Sequence, residues 1–168
     1  MYATHHDLPE TARTDTIALL QARLADALDL AARMKQAYWN LRGPSSLERR
    51  KLFEACLDEI DECIDSLARR IAALSGVTEG CVHAQALKGS LGRYPLQASC
   101  GEQYETALRI VLARFGRAVR ADIEQAAEFR CLDDTDVLRP AVFTPSGSFA
   151  KLYDLLLKPF VIETTRAT

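Results

Sequence analysis

Three long stretches of this sequence repeat an apolar residue at every third or fourth position. That spacing places the apolar side chains along one face of an α-helix. The predicted helices cover residues 15–41, 46–74 and 101–129, and at 1.5 Å per residue each is about 40 Å long. A shorter fourth helix is predicted at residues 147–162, where Pro159 is expected to kink or end it. The sequence therefore predicts an all-α protein built from long, mutually packed helices.

The connections between the helices constrain their arrangement. Only "RGPSS" separates the first helix from the second, so the two are expected to be antiparallel neighbours. Residues 75–100 separate the second helix from the third, which is enough chain to run the length of a helix bundle. One long crossover in the middle is the ferritin-like connectivity. We therefore predict a ferritin-like four-helix bundle whose crossover between helices two and three contains a short helix at residues 81–88.

The length of 168 residues favours a single domain, residues 1–168, in which residues 1–14 form an N-terminal arm. A net charge of −2 gives no general reason to expect a nucleic acid or a membrane surface as partner. No apolar run approaches the roughly 20 residues of a membrane span, and "MYATHHDLPE" lacks the order of a secretory signal. The 5 cysteines include no CxxC pair, so a cytoplasmic protein is predicted. Cys56 and Cys63 are interpreted as buried thiols, with metal ligation and disulfides as the alternatives.

Helix two also carries a stripe of charged residues on a face distinct from its apolar one. The stripe consists of Glu54, Asp58, Asp61 or Glu62, Asp65 and Arg69. Two interpretations remain open. The stripe can be a solvated or subunit-facing surface, stabilised in part by an i,i+4 ion pair between Asp65 and Arg69. Alternatively, its carboxylates can be the ligands of a ferritin-type metal site.

Longer motifs carry a resemblance to a known family. "KQAYWNLRGP" is followed by "LFE" and then by "DSLARRI", "SLGRYPLQ" precedes the third helix, and "GSFAKLYDLLLKPF" resembles a last helix. Over residues 7–160 the sequence is similar to the Dps family of mini-ferritins. The resemblance implies a hollow dodecamer of four-helix bundles, with the crossover helix at a two-fold interface. It also implies iron as the substrate: such proteins oxidise ferrous ions, usually with hydrogen peroxide, and store the ferric product, which protects against oxidative stress.

The family's ferroxidase site lies at the two-fold interface, with two His from one subunit, an Asp and a Glu from the other, and a further Asp nearby. Carried onto this sequence, the first His position is occupied by Tyr38 and the second by Arg50. The nearby Asp position holds Glu54. The partner's Asp position is kept as Asp65, whereas its Glu position holds Arg69. The resemblance therefore implies Glu54 and Asp65 as metal ligands of a degenerate centre, and it assigns no catalytic residue.

Arginine changes the chemistry of such a centre. A guanidinium has no lone pair to offer a metal, keeps its charge in proteins, and repels a divalent cation. We hypothesise that in an assembled dimer the two arginines form bidentate ion pairs with the two carboxylates, which replace the metal bridge. Tyr38 is interpreted as an interface aromatic that fills the space of a lost ligand. The alternatives are a weak phenolate ligand or a redox-active residue beside Trp39.

Acidic residues before the last helix line iron-entry pores in the family. Asp133, Asp134 and Asp136 occupy about this region and are carried over as pore residues. The next stretch, "AVFTPSGS", is longer than in the family and adds Pro145 and Gly147. A capped loop is therefore an equal alternative to a cation funnel.

Some family members bind DNA through a Lys-rich terminal arm, since phosphate contacts need positive charge. The residues before Asp15 contain Arg13 and no Lys, so direct DNA binding is not expected. Three functions remain open. The chain can be an iron-storing mini-ferritin, a non-catalytic shell subunit that co-assembles with an active relative, or a shell that binds another ion or a small anion through its arginines.

Overall fold

The structure is a computed structural model that describes residues 9–42, 46–81, 89–92 and 101–128. Their architecture consists of three long helices: α1 (Glu10–Asn40), α2 (Ser46–Ala73) and α3 (Gly101–Glu128). The helical fold class is confirmed, and these described ranges contain no strand. The bounds of α2 and the start of α3 agree with the sequence prediction to within one residue, and residue 129, the predicted end of α3, lies outside the described residues. The fourth helix predicted at 147–162, and the crossover helix predicted at 81–88 apart from Cys81, lie outside the described residues.

The start of α1 differs from the prediction. The helix begins at Glu10, so residues 10–14 are helical and do not belong to the N-terminal arm predicted at residues 1–14. Pro9 occupies the N-cap position with an extended backbone, and its carbonyl accepts the first helical hydrogen bond from Arg13 at 3.0 Å. The Thr14 hydroxyl donates to the Glu10 carbonyl at 2.9 Å. Apolar periodicity could not find this first turn because its side chains are mostly polar.

Helix α1 is the central element of the described structure, because it packs against both α2 and α3. Residues 23–27 are all buried, so this part of α1 is covered on every side. The single apolar stripe predicted for the helix is therefore too narrow. Ile17 and Leu28, two of the apolar residues whose three- or four-residue spacing predicted the first helix, are only half-buried at the edge of the core. Five polar residues of α1 are buried instead: Thr16, Gln21, Arg23, Asp26 and Arg33.

The apolar faces of α2 and α3 complete the core around α1, much as their periodicity predicts. From α2 come Phe53, Cys56, Ile60, Leu67, Ile71 and the following Leu74, and from α3 come Tyr104, Leu108, Val111, Leu112, Phe115 and Val119. Each fully buried Leu, Ile or Phe side chain contributes roughly 1.5–3 kcal/mol relative to an exposed one. Leu91, from the crossover, is also buried in this core. The crossover is thereby anchored at the middle of the bundle rather than only at its ends.

The end of α2 combines two adjacent residues with different roles. Ser75 adopts a left-handed backbone with φ 66°, and its N–H donates to Ala72 O at 2.9 Å. The Gly76 N–H donates to Ile71 O at 2.9 Å, as in a Schellman-type helix end. A Cβ at Gly76 would lie 2.8 Å from Ile71 Cγ2 and 3.0 Å from Ile17 Cγ2. Glycine is therefore required here by close packing against α1, whereas the left-handed residue is the serine.

Candidate metal centre

The connection between α1 and α2 places the candidate residues of the two helices side by side. Helix α1 ends where Leu41 takes an extended conformation, with its N–H donating to Tyr38 O at 3.3 Å. Leu41 is buried, which fixes the point at which the chain leaves the helix. Its carbonyl accepts a hydrogen bond from Arg50 Nη2 at 3.1 Å. One turn into α2, Arg50 thus closes the helical hairpin at the end that carries Tyr38.

Three of the five residues carried over from the family form one contact cluster. The Tyr38 hydroxyl donates to Glu54 Oε1 at 2.6 Å. The Arg50 guanidinium lies over the Tyr38 ring, with Cζ 5.2 Å from the ring centroid. That distance is within the range of a cation–π interaction, which contributes about 0.5–1 kcal/mol at an exposed site. The arrangement is a Tyr–Glu–Arg cluster, in which each side chain already has a partner from the same chain.

The electrostatics of the cluster keep Tyr38 a neutral phenol. The hydrogen bond to Glu54 raises the pKa of Tyr38 above its ordinary value, with desolvation and the negative charge of Glu54 adding in the same direction. Arg50 acts in the opposite direction but is outweighed. A phenolate is the form that binds a metal. Within a single chain, Tyr38 therefore acts as a hydrogen-bond donor rather than as a metal ligand. The alternative of Tyr38 as a phenolate ligand therefore has no support in this geometry.

Asp65 and Arg69 lie elsewhere on α2. Both are exposed, and Arg69 Nη2 donates to Ser66 Oγ at 3.3 Å. No ion pair forms within the described part of the chain between Asp65 and Arg69, the i,i+4 pair considered from the sequence. Exposed pairs of this kind are worth about 0–1 kcal/mol, so its absence costs the helix little.

The distance along α2 decides whether one chain can bring the two predicted carboxylate ligands together. Glu54 and Asp65 are separated by three helical turns, which is about 16 Å along the helix axis. One metal ion cannot bridge carboxylates so far apart. Any centre that uses both residues must therefore be completed by a second chain, as the family resemblance implies.

The residues of the cluster do not fit a ferrous-iron site within a single chain. One oxygen of Glu54 already accepts a hydrogen bond from the Tyr38 hydroxyl, and Arg50 places a permanent positive charge over the Tyr38 ring. Among residues 9–42, 46–81, 89–92 and 101–128, no group of three or more His, Cys, Asp or Glu side chains comes together as a metal site. The predicted pore residues Asp133, Asp134 and Asp136 lie outside the described residues.

The thiols of α2 are unsuited to metal chemistry. Cys56 is buried, as predicted, and Cys63 is half-buried. Burial raises the pKa of the Cys56 thiol to about 12, with a smaller contribution from the charge of Glu59. Burial also raises the pKa of the Cys63 thiol to about 11. Both thiols are protonated at neutral pH, and only the thiolate form is a metal ligand or nucleophile.

A buried ionic cluster between α1, α3 and the crossover was missed from the sequence. Asp26 in α1 pairs with Arg23, which also approaches Asp122 of α3, and the Asp26 carboxylate accepts two hydrogen bonds from Ser90. Charged residues in a helix are read as its solvent face by default. The available signal was the run "QARLADALDLAARM", in which charges interrupt an otherwise apolar segment on every side of the helix.

No family model matches the sequence. The DNA protection during starvation protein of Agrobacterium fabrum is 34% identical over 94 residues, which make up 56% of this chain and 58% of that relative. A second relative, the uncharacterized protein in bpoA2 5'region of Kitasatospora aureofaciens, is 36% identical over 73 residues, or 44% of this chain and 49% of its own length. The chain thus spans about half to three fifths of the length of these curated relatives.

Solved structures resemble the fold over most of the chain. DpsC from Streptomyces coelicolor superposes with a TM-score of 0.83 at 19% identity, covering 92% of this chain and 88% of that one. Dps from Thermosynechococcus elongatus gives a TM-score of 0.80 at 20% identity, covering 92% of this chain and 98% of that one. At such identities the likeness shows the fold.

The central α1, the antiparallel α2 and the long connection to α3, together with these structural likenesses, define a ferritin-like helical fold. The sequence similarity to the starvation protein and the motifs around Trp39 and Asp65 point to the same group of proteins as the fold does. The chain is therefore similar in sequence to the starvation protein over 94 residues, and its fold resembles that of the solved Dps structures. Within the described residues, no helix combines the length and apolar character needed to cross a membrane.

Proposed function

We propose that this chain is the subunit of a cytoplasmic Dps-type dodecamer that stores iron and limits oxidative damage, with its ferroxidase centre replaced by other contacts. The observation that carries this proposal is the Tyr–Glu–Arg cluster of Tyr38, Glu54 and Arg50. These residues occupy the positions at which the family resemblance implies iron ligands. Their interactions satisfy one another without a metal ion.

Exposed apolar residues support assembly from identical chains. Trp39 is 69% exposed and Leu47 is 65% exposed in the isolated chain. They lie at the end of α1 and the start of α2, next to the Tyr–Glu–Arg cluster in sequence. Large apolar side chains at the core of a subunit interface are more favourable than the same side chains in water. This surface is therefore proposed as part of the two-fold subunit contact.

The acidic face of α2 supports the storage of cations. Between residues 52 and 68 the helix has no Lys or Arg. Besides Glu54 and Asp65, which are proposed below to pair with arginines, its exposed carboxylates in that range are those of Asp58, Asp61 and Glu62. Carboxylate oxygens are the preferred ligands of hard cations. In a closed shell, such a face would offer iron a set of weak sites without needing a ferroxidase centre.

In the proposed dimer, Arg50 and Arg69 approach the carboxylates of the neighbouring subunit and replace the metal bridge with ion pairs. Two features support this arrangement. Asp65 is exposed and has no ion-pair partner in the described part of its own chain. Arg69 makes only a 3.3 Å hydrogen bond to Ser66 there, so both can pair across an interface. Partly buried ion pairs of this kind would fix the register of the two subunits.

Iron storage is tested by loading the purified assembly with ferrous iron in air and passing it over a size-exclusion column. We expect iron to elute with the protein, at many ions per chain. A parallel sample loaded in excess chelator controls for adsorbed iron. Elution of the assembly without iron would contradict storage, and would favour the non-catalytic shell subunit or the anion-binding shell.

The replacement of the centre is tested by a high-resolution crystal structure of the assembly soaked with zinc or, without oxygen, with ferrous iron. We expect Arg50 and Arg69 to contact carboxylates of the neighbouring subunit, with no metal between Glu54 and Asp65. Metal density bound to both carboxylates would contradict the proposal. An ordered anion between the two arginines would favour the anion-binding alternative.

A further inference from the structure

The crossover is held to α1 by one buried carboxylate. Asp26 is completely buried, and its Oδ1 accepts the Ser90 backbone N–H at 2.5 Å. Its Oδ2 accepts the Ser90 hydroxyl at 2.7 Å and Arg23 Nη1 at 2.7 Å. Three hydrogen bonds from two elements thus converge on a single carboxylate. Charge-assisted bonds of this type are about twice as strong as neutral ones.

The same network continues into α3 through Arg23. Arg23 Nε lies 2.6 Å from Asp122 Oδ2, although the two atoms lack the alignment of a hydrogen bond. The side chains of Arg23 and Asp122 are 10% and 13% exposed. A path therefore runs from Ser90 in the crossover through Asp26 and Arg23 of α1 to Asp122 of α3. This path joins the three elements at one buried point.

The charges of this cluster do not balance. Asp26 and Asp122 carry two negative charges, and Arg23 carries one positive charge, so the ionised triad has a net charge of −1. Within the described part of the crossover, the uncharged Ser90 contacts the triad, and the ion pairs of Asp26 and Asp122 are both made with Arg23. The nearest charged residues of α3 itself, Arg120 and Glu124, are exposed. An unbalanced buried charge is costly because the interior solvates it poorly.

We propose that the Asp26–Arg23–Asp122 triad is a proton-sensitive clamp, which takes up one proton at Asp122 in mildly acidic solution and then holds the crossover, α1 and α3 together more tightly. The proton comes from solvent and binds the Asp122 carboxylate, which makes the triad electrically neutral. Arg23 is then balanced by Asp26 alone. The hydrogen bonds from Asp26 to Ser90 remain in place in both states.

The surroundings of Asp122 favour its protonated form. Burial raises the pKa of Asp122 to about 6, and the negative charge of Asp26 adds to this, while Arg23 acts in the opposite direction. The folded chain therefore holds a proton between about pH 4 and pH 6 that the unfolded chain releases. Linkage requires the contribution of Asp122 to the free energy of unfolding to increase as the pH falls from about 6 to about 4.

The test compares the wild-type assembly with Asp122→Asn, an isosteric change that mimics the protonated acid, across pH 4.5–8. Hydrogen exchange is measured by mass spectrometry on peptides that contain Ser90 and Asp122, corrected for the intrinsic pH dependence. At pH 7.5 we expect exchange in Asp122→Asn to be about a hundredfold slower than in the wild type, since the pKa of Asp122 is raised from 3.8 to about 6 and each unit of pKa shift corresponds to a factor of ten. Near pH 5 the two proteins should become equal.

Two further measurements keep the result interpretable. Asp15→Asn, which changes an exposed carboxylate of α1, should follow the wild type at every pH. If Asp122→Asn does not fold, the wild type alone remains informative, because its Ser90 peptide should be protected below pH 6 while peptides from the middle of α2 do not change. The proposal is overturned if the difference between the wild type and Asp122→Asn is independent of pH, or if Asp122→Asn exchanges faster at pH 7.5.

Discussion

Tyr38 and Gly76 illustrate how the roles of single residues depend on their neighbours. The position of Tyr38 in a ligand motif could be recognised from the sequence, but its hydrogen bond to Glu54 depends on the path of the chain through Leu41. A glycine that follows a helix usually adopts the left-handed backbone itself, because it does so at little cost. The structure gives the left-handed conformation to Ser75 instead. Part of the requirement for glycine comes from its contact with Ile17. Ile17 is distant in sequence, so this contact cannot be predicted from the residues around Gly76.

The first prediction concerns the close contact between α1 and the end of α2. Gly76→Ala should lower the free energy of unfolding by about 1–3 kcal/mol, because the new methyl group overpacks the contact with Ile71 and Ile17. Urea denaturation measures the change. Gly80→Ala is the matched control, since among the described residues a Cβ there meets Leu28 Cδ1 at an ordinary 3.8 Å, and the change should alter stability by less than about 0.5 kcal/mol. Equal effects of the two substitutions would contradict the packing explanation.

At the scale of whole elements, the sequence predicted the positions of helices that are determined by residues close together in the chain. The breakers "RGPSS" and the apolar periods of α2 and α3 located those helices closely. The role of α1 could not be predicted in the same way, since a central helix is surrounded by neighbours and its apolar periodicity is weak. The buried charges of α1 face α3 and the crossover, so their partners are far away in sequence.

The second prediction concerns the attachment of the crossover to α1. Asp26→Ala should destabilise the protein by about 3 kcal/mol or more, because Arg23 and the Ser90 N–H lose their buried acceptor. Thermal and urea unfolding at neutral pH measure the effect. Asp15→Ala removes an exposed carboxylate from the same helix and should change the unfolding free energy by less than about 0.5 kcal/mol. A loss below about 1 kcal/mol for Asp26→Ala would show that the crossover is held by other contacts.

The third prediction concerns the thiols of α2. Cys56 and Cys63 should react with iodoacetamide very slowly at pH 7.5, because burial keeps both thiols protonated and restricts access to them. Peptide mapping by mass spectrometry distinguishes these two cysteines from the others. Labelling in denaturant provides the control and should modify both sites fully. Rapid modification of Cys56 in the folded assembly would contradict its burial.

At the scale of the whole molecule, one chain alone cannot form the candidate metal centre. The family resemblance could be recognised because its motifs are continuous in sequence, and the fold agrees with it. The centre itself depends on the symmetry of an assembly, since Glu54 and Asp65 lie about 16 Å apart along α2. The sequence identified which ligands are replaced. It could not show that Tyr38, Glu54 and Arg50 would become partners within one chain.

The fourth prediction concerns the assembly. Native mass spectrometry should detect twelve copies of the 18.6 kDa chain. Trp39→Glu should shift the population towards smaller species, because it places a charge where an exposed apolar side chain is proposed to meet a second subunit. Circular dichroism of the variant should retain the helical signal of the wild type. A dodecamer unaffected by Trp39→Glu would place the subunit contact elsewhere.

The most direct test of the central claim is the rate of ferrous iron oxidation by hydrogen peroxide, measured without oxygen and against a protein-free control. The wild-type assembly should not exceed the control. A variant that restores the ligand set implied by the family, Tyr38→His with Arg50→His, Glu54→Asp and Arg69→Glu, should accelerate oxidation by at least tenfold. Rapid oxidation by the wild type that is lost in Asp65→Ala would contradict the account, because Glu54 and Asp65 would then still form a working centre.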